Sequence, residues 1–203
     1  MQFNIKTNFP EVAKAMRQLG EDVARKATAS ALNKTVAQAK TAMSREIRAE
    51  FNMTAAKVGA ALKVTNARAS GANFRLEASL ESPRQRGRSL NLANFAAKQT
   101  RLGVTFKIKR GGARKLIPGA FLINGGKTVM IRVPGTTMGS RSKYAGTKHA
   151  QQIRALQTID VASMFNTKRV NAKVLAMIEA KFPELFANEA KFFTDRFNRT
   201  GKA

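Results

Sequence analysis

The first fifty residues show the spacing of an amphipathic helix. Apolar side chains recur every three or four residues, the period of one helix face. They are Val12, Met16, Leu19, Val23, Ala27, Leu32, Val36, Ala39, Met43 and Ile47. Pro10 suits a first helical turn, and Gly20 is the weak point at which the helix would kink or break. An unbroken helix of about 40 residues would measure roughly 60 Å. We therefore expect part of the arm formed by residues 1–50 to project or to meet another chain.

The middle of the chain changes from a helical period to an alternating one. Thr54 is placed to cap a short helix that ends near Leu62. Beyond it, alternating apolar and polar positions predict antiparallel strands, at residues 63–69, 73–80, 103–109, 115–123 and 128–133. Asn124, Gly125 and Gly126 predict a hairpin between the last two of these strands. Residues 63–133 are thus expected to form a β region with basic loops.

The end of the chain returns to a helical pattern. Residues 134–150 are rich in Gly, Ser and Thr and predict an exposed loop, and residues 160–199 predict a helical segment that Pro183 kinks or divides. Four phenylalanines at helical spacing favour a core-facing stripe, with a subunit interface as the alternative; they are Phe182, Phe186, Phe193 and Phe197. Residues 1–203 then form one α+β domain with a long N-terminal helix, a central antiparallel β-sheet or sandwich, and a C-terminal helix or helix pair.

Charge is the outlying property of the composition. The hydrophobic fraction of 43% suffices for a core, but 37 Lys and Arg face 12 Asp and Glu, which gives a net charge of +25. From Ser82 to Ile159 the chain has no acidic residue and sixteen basic ones. So long a one-sided run indicates a surface that meets a polyanion or an acidic protein. The alternative is a set of scattered, solvated cations.

Two loops carry the basic residues that we expect to contact DNA or an acidic partner. The first loop contributes Arg84, Arg86 and Arg88, and the region around the Gly111–Gly112 turn contributes Lys107, Lys109, Arg110, Arg114 and Lys115. Arginine suits this role because its planar fork binds two phosphate or carboxylate oxygens at once. Few aromatic residues lie among these cations, so sequence-specific nucleic-acid recognition is not indicated, whereas contact with a phosphate backbone stays open.

The residues that catalysis or metal binding would need are missing from the sequence. There is no cysteine, and His149 is the only histidine, so a catalytic triad, a thiolate metal site or a histidine cluster is not expected. The segment from Gly125 to Thr128 ends like a phosphate-binding loop, but Phe121 stands where that motif needs glycine. We therefore expect no enzyme activity, no cofactor and no metal. Neither a signal peptide nor an apolar stretch of about 20 residues is present, so no membrane association is expected.

A stretch in the β region resembles a known family. The segment Arg114-Lys-Leu-Ile-Pro-Gly-Ala-Phe121 is similar to a strand entry of the prophage minor tail protein Z family, in which a basic residue precedes Ile117, Pro118, Gly119, Ala120 and Phe121. The strand from Val129 to Val133 follows at that family's spacing, and the stretch from Ala31 to Val36 is similar to its N-terminal helix. Ile159 and Asp160 resemble its last strand before the closing helix. The loop after Pro134 departs from the family pattern.

The resemblance implies a tail-completion protein of a tailed phage, without catalytic residues. Such a protein sits in the virion at the head-proximal end of the tail, is assembled in the host cytoplasm, and helps the tail join the head and conduct DNA. Its expected partners are the tail terminator, tail tube or head–tail connector proteins and phage DNA, together with further copies of itself in a closed ring of six. The alternative is a non-specific nucleic-acid-binding protein of a cell or phage. A nuclease lacks the clustered acids that would hold magnesium.

Overall fold

The computed structural model describes residues 2–5, 20–70, 75–83, 89–137, 146 and 151–200. The fold is α+β, with a long helix near the N-terminus, three small antiparallel sheets and a long C-terminal helix. This confirms the fold class that the sequence predicts. The chain divides into two compact units. The first unit contains residues 1–47, 56–83 and 162–203, and the second contains residues 48–55 and 84–161.

The described residues form two long helices and a set of short helices and strands. The helices are α1 (Glu21–Glu50), α2 (Ala55–Ala61), α3 (Val161–Phe165) and α4 (Lys168–Thr200), and residues Leu92–Asn94 form a 3-10 turn. The strands are β1 (Gln2–Ile5), β2 (Lys63–Thr65), β3 (Ala78–Glu81), β4 (Lys98–Thr100), β5 (Gly103–Phe106), β6 (Lys115–Pro118), β7 (Phe121–Ile123), β8 (Thr128–Arg132) and β9 (Ile153–Ala155).

Helix α1 is one of the two long helices of the first unit. It begins at Glu21, directly after Gly20, and Glu21 and Asp22 place negative charge where the helix dipole favours it. Its 30 residues span about 45 Å at ~1.5 Å per residue. The predicted start at Pro10 and the apolar positions Val12, Met16 and Leu19 lie outside the described residues.

The apolar stripe of α1 is buried within the protein. All its predicted positions from Val23 to Ile47 are buried, most of them completely. The small side chains of Ala27, Ala31 and Ala39 let neighbouring elements pack closely against α1, and all three are wholly inaccessible to solvent. The described part of the stripe is therefore covered by the protein's own core, and the expectation that part of the arm projects or meets another chain stays a prediction.

The strand β1 differs from the helical arm that the sequence predicts for residues 1–50. Gln2–Ile5 pairs antiparallel with β3, from Gln2 opposite Glu81 to Ile5 opposite Ala78. Strand β2 pairs with the other edge of β3, so the sheet order is β1-β3-β2. The sequence of β1 alternates polar and apolar residues, as a strand does, and four residues are too few to reveal that period next to a long helical pattern.

Helix α4 runs through Pro183 as a single helix. A proline removes one backbone hydrogen bond, which is the reason for expecting a kink or a helix pair. Here the residues on both sides are fixed in the core, since Phe182 is fully buried and Phe186 is 3% exposed. The stripe of phenylalanines then leaves the core: Phe193 is half-buried and Phe197 is 45% exposed. The core prediction therefore holds for the first two and not for Phe197.

The second unit contains two three-stranded sheets, ordered β4-β5-β6 and β7-β8-β9. The single predicted strand 115–123 is divided, because Gly119 adopts a φ of +70° between β6 and β7. The β7–β8 hairpin forms where Asn124, Gly125 and Gly126 predict it, all three with positive φ. Ile159 and Asp160 form no strand; the last strand is β9, and these residues lead into α3. Most of the predicted loop 134–150 lies outside the described residues.

Candidate functional site: a basic unit with an open cavity

The two units differ in their balance of charge. The second unit holds 17 Lys and Arg against two acids, Glu50 and Asp160, for a net charge of +15. The first holds 20 Lys and Arg against ten Asp and Glu, for +10. The residues that concentrate the positive charge are therefore also those that fold together, which makes the second unit the candidate for binding an anionic partner.

The loop between β5 and β6 is held at the C-terminal end of α1. The backbone N–H of Arg110 donates to the carbonyl of Glu50 at 2.8 Å, and its Nε donates to the carbonyl of Arg48 at 2.6 Å. Helix ends leave such carbonyls without partners and carry partial negative charge. The Arg110 guanidinium thus caps the helix within the fold.

Neighbouring groups complete this junction. The side chain of Asn52 donates to the carbonyl of Lys107 at 2.9 Å, and its backbone N–H donates to Ile108 at 2.8 Å. Lys109 places its Nζ 3.7 Å from a carboxylate oxygen of Glu50. Since the lysine side chain is 63% exposed, this pair contributes little to stability, but it partly neutralises Lys109.

One face of the β4-β5-β6 sheet is polar and basic. Lys98, Thr105 and Leu116 stand opposite one another across the three strands and therefore share this face. Arg114 lies against it, donating from Nη1 to the carbonyl of Ala96 at 2.9 Å and to the Thr105 hydroxyl at 3.3 Å. Lys107 continues the same alternation two residues beyond Thr105 and is half-buried. We call Lys98, Lys107 and Arg114 the outer basic face.

The opposite face of this sheet is apolar and borders a cavity. Val104 is fully buried opposite Ile117, and Phe106, 8% exposed, stands opposite Lys115. The cavity has a volume of about 520 Å³. It is lined by Phe51, Leu92, Phe106, Ile108, Lys109, Gly112, Ala113, Lys115, Gln157, Thr158 and Ile159. Every lining residue that the structure describes belongs to the second unit, and none of these is acidic.

The segment from Ile117 to Phe121 is a structural joint between the two sheets. A Cβ on Gly103 would lie 2.1 Å from the carbonyl oxygen of Ile117, so strand β5 and this segment approach as only glycine allows. After Pro118, Gly119 makes the turn and donates its N–H to the carbonyl of Leu102 at 2.9 Å. Ala120 is 2% exposed, so it anchors the joint in the core.

Gln99 fastens this joint from the side. Its Nε2 donates to the carbonyls of Gly103 at 3.1 Å and Ala120 at 3.4 Å, and its Oε1 accepts from the N–H of Leu122 at 2.8 Å. One amide side chain thereby links the end of one sheet to the start of the next.

Phe121 is half-buried, and the Arg132 guanidinium lies 5.5 Å from the centre of its ring. That distance permits a cation–π interaction. Met130 and Ala155 share this face of β7-β8-β9, and Ile153 beside them is 42% exposed. This sheet therefore presents a half-open apolar face with one arginine on it.

The predicted contact residues do not converge on one spot. Arg84, Arg86 and Arg88 lie outside the described residues, as does His149. Of the others, Arg110 caps α1, Arg114 and Lys107 lie on the outer basic face, and Lys109 and Lys115 border the cavity. Sequence reasoning missed Lys98 and Gln99, because β4 is three residues long and carries no apolar alternation.

The described part of the chain offers no group of three or more His, Cys, Asp or Glu side chains that could hold a metal ion. Among these same residues, no helix combines the length and apolar character needed to cross a lipid bilayer.

The carboxyl group of Glu189, in the first unit, has a lowered pKa. Burial of Glu189 disfavours its charged form, but hydrogen bonds from Lys34 and Ser30, the latter at 2.6 Å, together with the Lys34 charge, outweigh it and hold the pKa of Glu189 below its usual value. Glu189 thus joins α4 to α1 within the first unit.

The chain matches no protein-family model, no curated protein and no solved structure.

Proposed function

We propose that this protein is a structural subunit of a tailed-phage virion that completes the head-proximal end of the tail. The observation that carries the proposal is the segment Arg114–Phe121, whose resemblance to the minor tail protein Z family extends to the strand that follows it. The geometry supports a structural role for the segment: Gly119 turns the chain, Ala120 is buried, and Gly103 packs against Ile117. A structural role without catalysis agrees with what the resemblance implies.

The net charge of +15 in the second unit supports a place beside anionic neighbours. In a tail, these would be DNA passing through the channel or acidic surfaces of the terminator, tube or connector proteins. Among the described residues, Lys98, Lys107, Lys115 and Arg101 form no side-chain hydrogen bond or ion pair, so their charges are available to a partner. Arg84, Arg86 and Arg88 remain predicted contacts of the same kind.

Exposed aromatic residues support assembly with further copies in a ring of six. Phe192 is 52% exposed and packs edge-to-face on Phe193 at 5.2 Å, and Phe197 is 45% exposed. Phe193 and Phe197 continue the buried stripe of α4 beyond the core. A cluster of this kind is typical of an interface, and a heterologous interface between identical subunits forms a ring where its rotation closes.

A deletion experiment tests the proposal. We expect phage that lacks this chain to produce filled heads and separate tails that do not join, and quantitative mass spectrometry of wild-type particles to find the chain at about six copies. Particles that contain no copy, or a deletion that leaves joined, infectious particles, would rule the proposal out.

The second candidate function is non-specific nucleic-acid binding, which the charge of the second unit also favours. It predicts that the isolated chain binds duplex DNA tightly and that its affinity falls steeply with salt. For each phosphate contact, the logarithm of the binding constant should fall by about 0.9 per tenfold increase in salt concentration. The tail-completion proposal predicts weak binding to DNA alone and firm association with virion proteins.

The structure decides which variants are informative in that comparison. Replacing Lys109, Arg110 and Arg114 together would remove a helix cap and the contacts to Ala96 and Thr105, so a defect could arise from misfolding. The triple variant Lys98→Glu, Arg101→Glu and Lys107→Glu avoids these hydrogen bonds and alters the charge alone. Arg84→Glu, Arg86→Glu and Arg88→Glu form the second triple variant.

A further inference from the structure

We propose that the cavity beside Lys115 binds an acidic, apolar peptide segment of a neighbouring protein, with an apolar side chain in the cavity and an adjacent carboxylate paired with Lys115. The inference deepens the proposed function, on which it rests for the presence of a neighbour in the assembly. The binding chemistry itself follows from the residues that line the cavity.

The floor of the cavity is apolar. Part of the cavity lining consists of three apolar side chains that are each less than 9% exposed, Phe51, Leu92 and Phe106. Ile108 and Ile159 extend this apolar lining. The volume of about 520 Å³ falls within the ~300–1,000 Å³ that is common for ligand sites. A large apolar side chain would gain free energy by leaving water for this floor.

The rim of the cavity is positive. Among the described residues, Lys115 forms no side-chain hydrogen bond or ion pair, and it stands opposite Phe106 across β5 and β6, which puts its charge next to the apolar floor. Lys109, the other lysine, lies 3.7 Å from Glu50 and is partly neutralised. No lining residue is acidic, so a carboxylate at the rim would meet attraction and no repulsion from the lining.

Two of the lining residues, Gly112 and Ala113, carry little or no side chain. The chain there is fixed by the hydrogen bond from Gly112 N–H to the carbonyl of Lys109 at 3.2 Å. Gln157 and Thr158 supply polar groups on another part of the lining. A peptide backbone can use such groups while its side chain fills the cavity.

A nucleic acid fits this cavity less well than it fits the outer basic face. Phosphates have no group that would fill an apolar floor, and bases bind by stacking on open aromatic faces. Phe51 and Phe106 are only 4% and 8% exposed, so little of either ring is open for stacking. The cavity and the outer basic face therefore differ in the partner that they favour.

The probe is a fluorescein-labelled peptide with the core Asp-Phe-Glu-Leu-Asp, measured by anisotropy against the full chain. We expect saturable binding that becomes about tenfold or more weaker in each of two control peptides. One control replaces Phe and Leu by Ser and keeps the charges. The other replaces the acids by their amides and keeps the apolar residues.

Two pairs of variants locate the site on the protein. Lys115→Glu should weaken binding of the probe about tenfold or more, whereas Lys127→Glu, the same charge change at an exposed position of the β7–β8 hairpin that does not line the cavity, should change it less than about threefold. Ala113→Leu should narrow the cavity and weaken binding about tenfold or more, and Ala113→Ser should preserve it. Circular dichroism and urea unfolding verify that each variant is folded.

Several outcomes would overturn the inference. Equal binding of the Ser-containing control would show general charge attraction, and equal effects of Lys115→Glu and Lys127→Glu would show the same. Displacement of the probe by a DNA duplex whose own affinity depends on Ala113 would assign the cavity to nucleic acid. If the probe fails to bind while the deletion still blocks head–tail joining, the cavity inference is wrong and the proposed function stands. If the chain binds the probe but is absent from virions, the cavity inference stands and the proposed function is wrong.

Discussion

The first unit pairs acidic with basic side chains between its two long helices, whereas the second unit holds few acids to pair with its many cations. In the first unit, Lys173 pairs with Glu46 at 2.7 Å and Lys34 pairs with the buried Glu189, so that α1 and α4 are joined twice. In the second unit, 17 cations share two acids, and its short strands are fastened by the amides of Asn91 and Gln99. The difference teaches that salt bridges stabilise the helix packing of the first unit, whereas side-chain amides stabilise the short strands of the second.

The largest effect is expected at the tightest backbone contact of the second unit. Gly103→Val places a Cβ 2.1 Å from the Ile117 carbonyl oxygen at a φ of +155°, which should lower the free energy of unfolding by about 4 kcal/mol or more. Hydrogen exchange measured by mass spectrometry should lose protection in β5 and β6. Gly111→Ala, in open space, is the matched control. Unchanged protection in the Gly103 variant would show that this contact does not hold the sheets.

The two ends of α4 should respond differently to loss of a phenylalanine. Phe182 is fully buried, so Phe182→Ala should lower the unfolding free energy by about 3–5 kcal/mol. Phe192 is 52% exposed, and Phe192→Ala should change it by less than about 1 kcal/mol while weakening self-association. Urea unfolding followed at 222 nm and analytical ultracentrifugation measure the two effects. Equal destabilisation by both would mean that the exposed end is part of the core.

Glu189 should make the first unit sensitive to acid. Because its folded pKa is lowered, its stabilising contribution is present above its unfolded pKa and is lost as the pH falls through the folded pKa. Glu189→Gln removes the charge and should cost about 1–3 kcal/mol at neutral pH. Urea unfolding between pH 7 and pH 3 should show a smaller loss of stability in Glu189→Gln than in the wild type. Parallel pH curves would contradict the assignment.

Arg110 and Lys98 separate capping from binding in the second unit. Arg110→Ala removes the hydrogen bond to Arg48 and should lower the unfolding free energy by about 0.3–1 kcal/mol, with little effect on the salt dependence of DNA binding. Lys98→Ala should leave stability unchanged and, if Lys98 contacts a phosphate, reduce the salt slope by about one. The opposite pattern would make Arg110 the contact residue.

How much of this could be predicted from the sequence depends on the element. The helix from Val23 to Ile47 and the hairpin at Asn124–Gly126 follow from local periods and turn residues, and both are present. Strand β4 does not follow, since three residues show no period, and the close approach of Gly103 to Ile117 is visible only in the fold. Arg110 illustrates the same limit at the candidate site. The sequence shows that Arg110 is a cation, but only the fold shows that it donates a hydrogen bond to the C-terminal end of α1.

The most direct test of the account compares charge reversal in the two units during particle assembly. One variant carries Lys98→Glu, Arg101→Glu and Lys107→Glu in the second unit, and the matched variant carries Lys168→Glu, Arg169→Glu and Lys191→Glu on α4. Both are supplied to phage that lacks the chain, after unfolding measurements show that both fold. We expect the second-unit variant to lower the yield of joined, infectious particles about tenfold or more, and the α4 variant to stay within about twofold of the wild type. Equal yields from the two variants would contradict the claim that the second unit meets the anionic partner.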